Sequence, residues 1–322
     1  MEQLLIKKRQ SFTHSFKKKF KSSRFLIMMV IPAIIFYAIF CYIPMYGVLL
    51  AFSEFRINMG IYSSILHNWV GFDNFHEIFA MRGFWEAFRN TLFIGSLKIV
   101  ISFLSAVLVA LLVNELRMKV FKKTAQIIVT FPHFLSWVVV ASLFVMIFDT
   151  GTGVFNHFLN NMGMSSVPFT TDSKIFLSMV FSVDIWKEAG WSAIIYIATM
   201  AGISPELYEA ADIDGASRLQ KIWHITLPGI KATAILLLIM SVGGVLSAGF
   251  DQIFNMTLKM TNYEVIDRVQ IIDTLIFTAT QSTGDLLPGP ATAIGLFKSV
   301  VGFVLVITTD RIAKLCGERG II

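Results

Sequence analysis

From residue 25 to residue 52 the chain carries no charged side chain, between Arg24 and Glu54. No other feature narrows the possible folds so far. A helix needs about 20 apolar residues to cross the hydrocarbon core of a bilayer. In lipid, every backbone N–H and C=O must be satisfied within the segment or within a closed barrel. A run this long therefore reads as a membrane-spanning helix. It is roughly twice the length of a signal-peptide core and has no small-residue cleavage site after it, so we expect it to remain as an anchor.

Five further runs follow: 91–113 with Lys98 inside, 124–148, 175–201 with Asp184, Lys187 and Glu188, 232–250, and 291–309 with Lys298. The expected fold is an all-α membrane protein with six transmembrane helices. One membrane domain would cover about 25–310, after a basic segment 1–24 and before a short tail 311–322. Charged residues make up only 15% of the 322, against about 25% in soluble domains.

Lysine and arginine set the orientation. With a cytoplasmic N-terminus, the inner segments hold 18 of them and the outer loops 6. Both termini are therefore expected inside. The net charge of +6 then belongs to the membrane surface rather than to nucleic acid. In the first outer loop, Trp69, Phe72, Phe75, Phe79 and Phe84 predict a short amphipathic helix at the outer face. Cys41 and Cys316 show no disulfide or metal spacing, and the six histidines show none either. His133, beside Pro132, reads as a packing residue. No Gly-Lys dipeptide occurs, so a phosphate-cradling loop is missing.

The segment 204–228 is the most informative. Ser204 can cap a helix with Pro205 at its first position. Glu206 and Glu209 suit the early turns, Ala210 and Ala211 favour helix, and Gly215 permits a tight exit. A second short helix and Pro228 lead into the fifth span. The result is a cytoplasmic helix–turn–helix with small residues that let a partner approach. Glu209-Ala210-Ala211, Gly215 and Ile225-x-Leu227-Pro228 resemble the EAA loop of binding-protein-dependent ABC importer permeases. The resemblance implies the type I importer permease fold and a coupling helix gripped by a separate ATPase, carried onto Glu209, Ala210, Ala211, Asp212, Gly215, Leu227 and Pro228. It also implies a second homologous permease, two ATPase subunits, an extracytoplasmic solute-binding protein and a bacterial plasma membrane. Residues 42–47, 131–137 and 249–255 look like the carbohydrate-uptake branch, and most like permeases for oligosaccharides from plant-type polysaccharides.

Charges at membrane depth usually face a bundle interior or a watery path. Asp184, Lys187 and Glu188 share one helical face. They fit either a self-neutralised packing cluster or a polar wall of a substrate route, with Trp191 and Trp186 placed to stack on sugars or to face lipid. By the resemblance, Ser247, Phe250, Asp251 and Lys298 are further route candidates. Three intramembrane lysines would suit an acidic oligosaccharide, although Lys98 could instead snorkel outward. The small residues of the fifth span also suit close helix packing. An ion-coupled secondary transporter would need matching halves with broken helices. A membrane-embedded enzyme would need a clustered catalytic set. The sequence displays neither.

Overall fold

A computed structural model describes residues 24–282 and 287–315. The basic N-terminal segment, apart from Arg24, and Cys316 lie outside the described residues. The described residues are helical and irregular, with a lone β-bridge between Ser53 and Trp69.

Helix α1 runs as an α-helix over Arg24–Tyr37, a π turn over Ala38–Tyr42 and a tighter 3-10 segment over Ile43–Phe52. From Met28 on, its apolar side chains point outward until Leu50 and Ala51, which are buried. Only lipid or another protein can cover such a surface. Two short helices follow, α2 (Gly60–His67) and α3 (Asp73–Ala80). The outer loop thus forms two helices where the sequence predicts one. Phe52 stacks on Trp69 and meets Phe72 and Phe75, while Phe79 and Phe84 meet Phe297. Phe84 is buried and Phe75 and Phe79 partly so, forming a plug between α1, α3 and the last helix, while Trp69 and Phe72 stay exposed at its rim.

Asn74 secures this corner. Its buried Nδ2 donates to the carbonyls of Ala51 (2.9 Å) and Ser53 (3.1 Å) at the end of α1. Those carbonyls have no helical partner of their own. Asn74→Leu should cost about 1–3 kcal/mol through orphaned acceptors. It should appear as a lower Tm of detergent-purified protein, and an unchanged Tm would refute the capping role.

Helix α4 (Phe84–Asn114) packs along α8 (Ser173–Ala201) as the central pair. Between them come α5 (Lys119–Thr130), a 3-10 turn Phe131–Phe134, α6 (Trp137–Phe148) and α7 (Val154–Asn161). The run 124–148 is not one straight span: α5 with its turn meets α6 at 97°. Pro132 lacks a donor and clashes with continued helix. Ser136 then restarts the chain, its Oγ accepting from the Val139 N–H at 3.3 Å.

Helices α9 (Pro205–Ile213) and α10 (Arg218–Lys221) lead through a π turn, Ile222–Thr226, into α11 (Leu227–Gly243). The fifth run therefore begins earlier than 232 and stops at Gly243, short of 250. Gly244, then Ala248 and Gly249 in left-handed conformations (φ 40° and 84°), turn the chain into α12 (Phe250–Met256). Helices α13 (Tyr263–Val269), α14 (Ile272–Phe277) and α15 (Pro288–Leu315) complete the fold.

Among the described residues, four helical stretches are long and apolar enough to cross a membrane: Met28–Phe52, Phe84–Asn114, Arg218–Gly243 and Pro288–Leu315, with the bent pair as a fifth. Helix α8 has 29 residues, about 44 Å at about 1.5 Å per residue, but carries four charged side chains, Lys174 at its start and Asp184, Lys187 and Glu188 near its middle. Two glycines let helices touch backbone to backbone. A Cβ at Gly95 would lie 2.0 Å from the Val245 carbonyl oxygen, and one at Gly190 would lie 1.9 Å from that of Val129.

The loop after α6 folds around Asp149. Its Oδ2 accepts from the N–H groups of Gly151 and Thr152 and from the Thr152 hydroxyl, and its Oδ1 from Thr170. The Thr152 N–H leads in holding this carboxyl below its ordinary value of 3.8. The lowered folded value means stability that is present above 3.8 and lost as pH falls through the lowered one. Proteolysis within 149–172 should therefore be flat from neutral pH to about 5 and rise only below about 4. A rise already at pH 6 would contradict this.

Candidate functional site

The polar side chains at membrane depth form three separate pairings. In the first, Lys98 of α4 bridges Asp184 of α8 (3.2 Å) and the Oε1 of Gln252 on α12. Ser102 donates to Asp184 at 3.3 Å, and the fully buried Gln252 donates to the Val180 carbonyl at 2.6 Å. Lys98 thus turns inward and does not snorkel.

In the second, Lys187 is 4% exposed. It donates to the His133 carbonyl at 2.6 Å, meets Glu188 at 3.2 Å and lies 5.3 Å above the Trp137 ring. His133 Nδ1 is 2.7 Å from Glu188, and its ring stacks on Trp191 at 4.3 Å. This group pins α8 to the bend between α5 and α6. In the third, Lys298 of α15 reaches both oxygens of Asp273 on α14 at 2.7 Å.

Asp184 is thus not part of one cluster with Lys187 and Glu188. It takes its partners from α4, whereas the other two take theirs from the bend and from each other. All three membrane-depth lysines have a carboxylate partner, so none stands there as an unpaired charge.

A cleft of about 400 Å³ opens between α4, α8 and α11, lined among others by Lys98, Ser102, Trp191, Tyr196 and Ser241. Of the predicted route residues, Trp191 lines it and Asp184 backs it through Lys98 and Ser102. Ser247 is exposed in the turn after α11, Phe250 stacks on Phe254, and Asp251 is exposed. Gln252, not Asp251, enters the interior. A glutamine in an apolar run was a usable signal for this; the Asp273–Lys298 pairing had none, because the two residues lie far apart in the chain.

On the predicted inner side, α9 has no buried residue. Ser204 sits at the cap position but its side chain makes no capping bond. The Ala216 N–H donates to the Ala211 carbonyl at 2.9 Å, and Gly215 closes the helix at φ 72°. This is the left-handed ending glycine permits. Ser217 and Gln220 form a reciprocal capping box at α10. Lys221 binds Asp212 at 2.6 Å, and the hydroxyls of Tyr208 and Thr226 meet at 3.0 Å, locking α9 against the rod that leads into α11. Pro228 lies inside that rod, just after the π turn, and is not its start; such a bulge accommodates the donor that proline lacks. Glu209, Ala210 and Asp212 face outward and Ala211 is partly covered. Around them Leu207, Ile213, Leu219 and Trp223 are exposed apolar side chains.

Residues 98–315 match the family model described as the binding-protein-dependent transport system inner membrane component. The polygalacturonan/rhamnogalacturonan transport system permease protein YteP of Bacillus subtilis is 38% identical over 303 residues, covering 94% of this chain and 92% of that protein. Protein LplB of Bacillus subtilis is 38% identical over 301 residues, with coverage of 94% and 92%. A chain from the crystal structure of a bacterial alginate ABC transporter, in complex with an alginate pentasaccharide-bound periplasmic protein, superposes with a TM-score of 0.83. It is 34% identical, and the match covers 94% of this chain and 99% of that one. The length of these matches, together with the all-helical fold and its long apolar spans, identifies the chain as a member of the binding-protein-dependent transport system inner membrane component family, a membrane-embedded sugar permease of the ABC importer class.

Proposed function

We propose that this permease carries an oligosaccharide derived from an acidic, plant-type polysaccharide across the bacterial plasma membrane by alternating access. Six helices cross the bilayer, α8 and the bent α5–α6 pair among them, and both termini are cytoplasmic. A solute-binding protein delivers cargo at the outer face. A second, homologous permease completes the pathway, and two ATPase subunits bind ATP and Mg. Closure of the ATPases moves α9 of each permease, and the rod α10–α11 transmits that motion to the cleft.

One observation carries this reading. Helix α9 is held firmly to a spanning helix by Lys221–Asp212 and Tyr208–Thr226, yet buries nothing of its own. A rigid handle with outward apolar and acidic residues suits a partner's groove. The acidic cargo class is supported by what the polygalacturonan and alginate relatives are named for. The test is co-purification of the tagged chain from native membranes, with cross-linking from a cysteine at Ala210. The cross-linked partner should be an ATPase subunit. Labelling of that cysteine by an impermeant reagent from the outside would overturn the proposal.

A further inference from the structure

We infer that Asp184 is a specificity-determining residue that neutralises Lys98, with Gln252 fixing the ammonium in place, so that the cleft receives the hydroxyl and ring faces of a sugar and not a carboxylate. The inference rests on the proposed transport role and deepens it. An ammonium has three N–H donors. Lys98 gives one to Gln252 Oε1 and one to Asp184. Gln252 is itself fixed, being fully buried and donating to the Val180 carbonyl. Lys98 lines the cleft with one donor remaining but with its charge already paired. That is the equipment for a hydroxyl.

The rest of the lining agrees. Trp191 stacks on His133 and meets the Phe134 ring edge-on, yet it is 45% exposed and so offers aromatic surface to the C–H face of a sugar ring. Ser102 and Ser241 add hydroxyls, and the remaining lining is largely apolar, Phe103 and Ile195 among it. A carboxylate entering here would meet Asp184 as well as Lys98. With Asp184 removed, the lone ammonium in a poorly hydrated cleft would hold a carboxylate far more tightly than water does. Conduction needs binding that is favourable enough to enter and weak enough to leave. Pairing Lys98 prevents a trap for an acidic cargo, whose charge must then be screened elsewhere on the route.

The experiment uses the assembled importer with Cys41 and Cys316 changed to serine and a single reporter, Ser241→Cys, in the cleft. Rates of modification by anionic and cationic methanethiosulfonate reagents are compared. The wild-type ratio should lie within about threefold of that for a thiol on a neutral surface, and Asp184→Asn should shift it about tenfold toward the anionic reagent. The uncharged pair Lys98→Met with Asp184→Asn should restore the first ratio, and covers the case in which Asp184→Asn alone misfolds. A wild-type ratio already tenfold toward the anionic reagent overturns the inference.

A second arm measures ATP-dependent uptake of a galacturonate trisaccharide and of its methyl ester into proteoliposomes. Lys98→Met should slow both by the same factor. Selective loss of the acid would overturn the inference and leave the transport reading standing. Failure of the wild-type importer to accumulate any oligosaccharide would overturn both.

Discussion

Gly190→Leu is expected to leave almost no folded protein in the membrane. A Cβ at this position would lie 1.9 Å from the Val129 carbonyl oxygen, 2.3 Å from its carbon and 2.9 Å from the Thr130 nitrogen. All three are backbone atoms of α5, so no side chain can swing aside. Helix α5 would have to retreat from α8 as a body. That movement breaks what holds the bend: the Lys187 bond to the His133 carbonyl, the Glu188–His133 contact and the Trp191–His133 stack. Overpacking a core costs about 1–3 kcal/mol when neighbours can adjust. Here they cannot, and the loss should exceed about 3 kcal/mol, a large share of the stability of a marginal protein. The measure is the yield of monodisperse protein after detergent extraction. Gly295→Ala is the control, because a Cβ there meets nothing within 4 Å and alanine favours helix by up to about 1 kcal/mol. Normal yield from Gly190→Leu would show that the α5–α8 contact is not needed.

The local chemistry that makes such a fold was visible in the chain, while its pairings were not. The uncharged run 25–52, Pro132 ahead of Ser136, and Ser217 three residues before Gln220 each report on a few neighbouring residues, and each became the structure its chemistry demands. The 97° bend at Ser136 could have been read from Pro132, but apolarity alone made 124–148 look continuous. Hydropathy counts side chains and is blind to backbone angle. The same blindness hid the break after Gly243, where Gly244 and Gly249 were legible only as small packing residues. Long-range contacts left weaker traces. Lys98 and Gln252 stand 154 positions apart and Lys298 and Asp273 stand 25 apart, so spacing could not join them. The reading of Asp184, Lys187 and Glu188 as one face was right about their helix. It missed that α4 and the bend compete for them from different sides.

Glu209→Lys should abolish uptake while leaving the permease folded, and so separate coupling from structure. Glu209 is exposed and its side chain makes no ion pair or hydrogen bond within the described residues. Its reversal therefore costs the fold almost nothing, as is usual for surface changes. In an interface the same reversal both removes an attraction and adds a repulsion, about 2–5 kcal/mol when the group is desolvated on docking. ATP-driven uptake should fall by a factor of about 30 or more. Purification yield and Tm should match wild type, and the ATPase should be lost from the complex or hydrolyse ATP without uptake. Asp212→Lys makes the contrasting case. It would also break the 2.6 Å bond to Lys221, so it should loosen α9 against α10 and lower protection from proteolysis near Gly215 as well as uptake. If Glu209→Lys transported normally while Asp212→Lys did not, α9 would matter through its bracing of the rod and not through the face it presents, and the docking surface would have to lie on Leu219 and Trp223 instead.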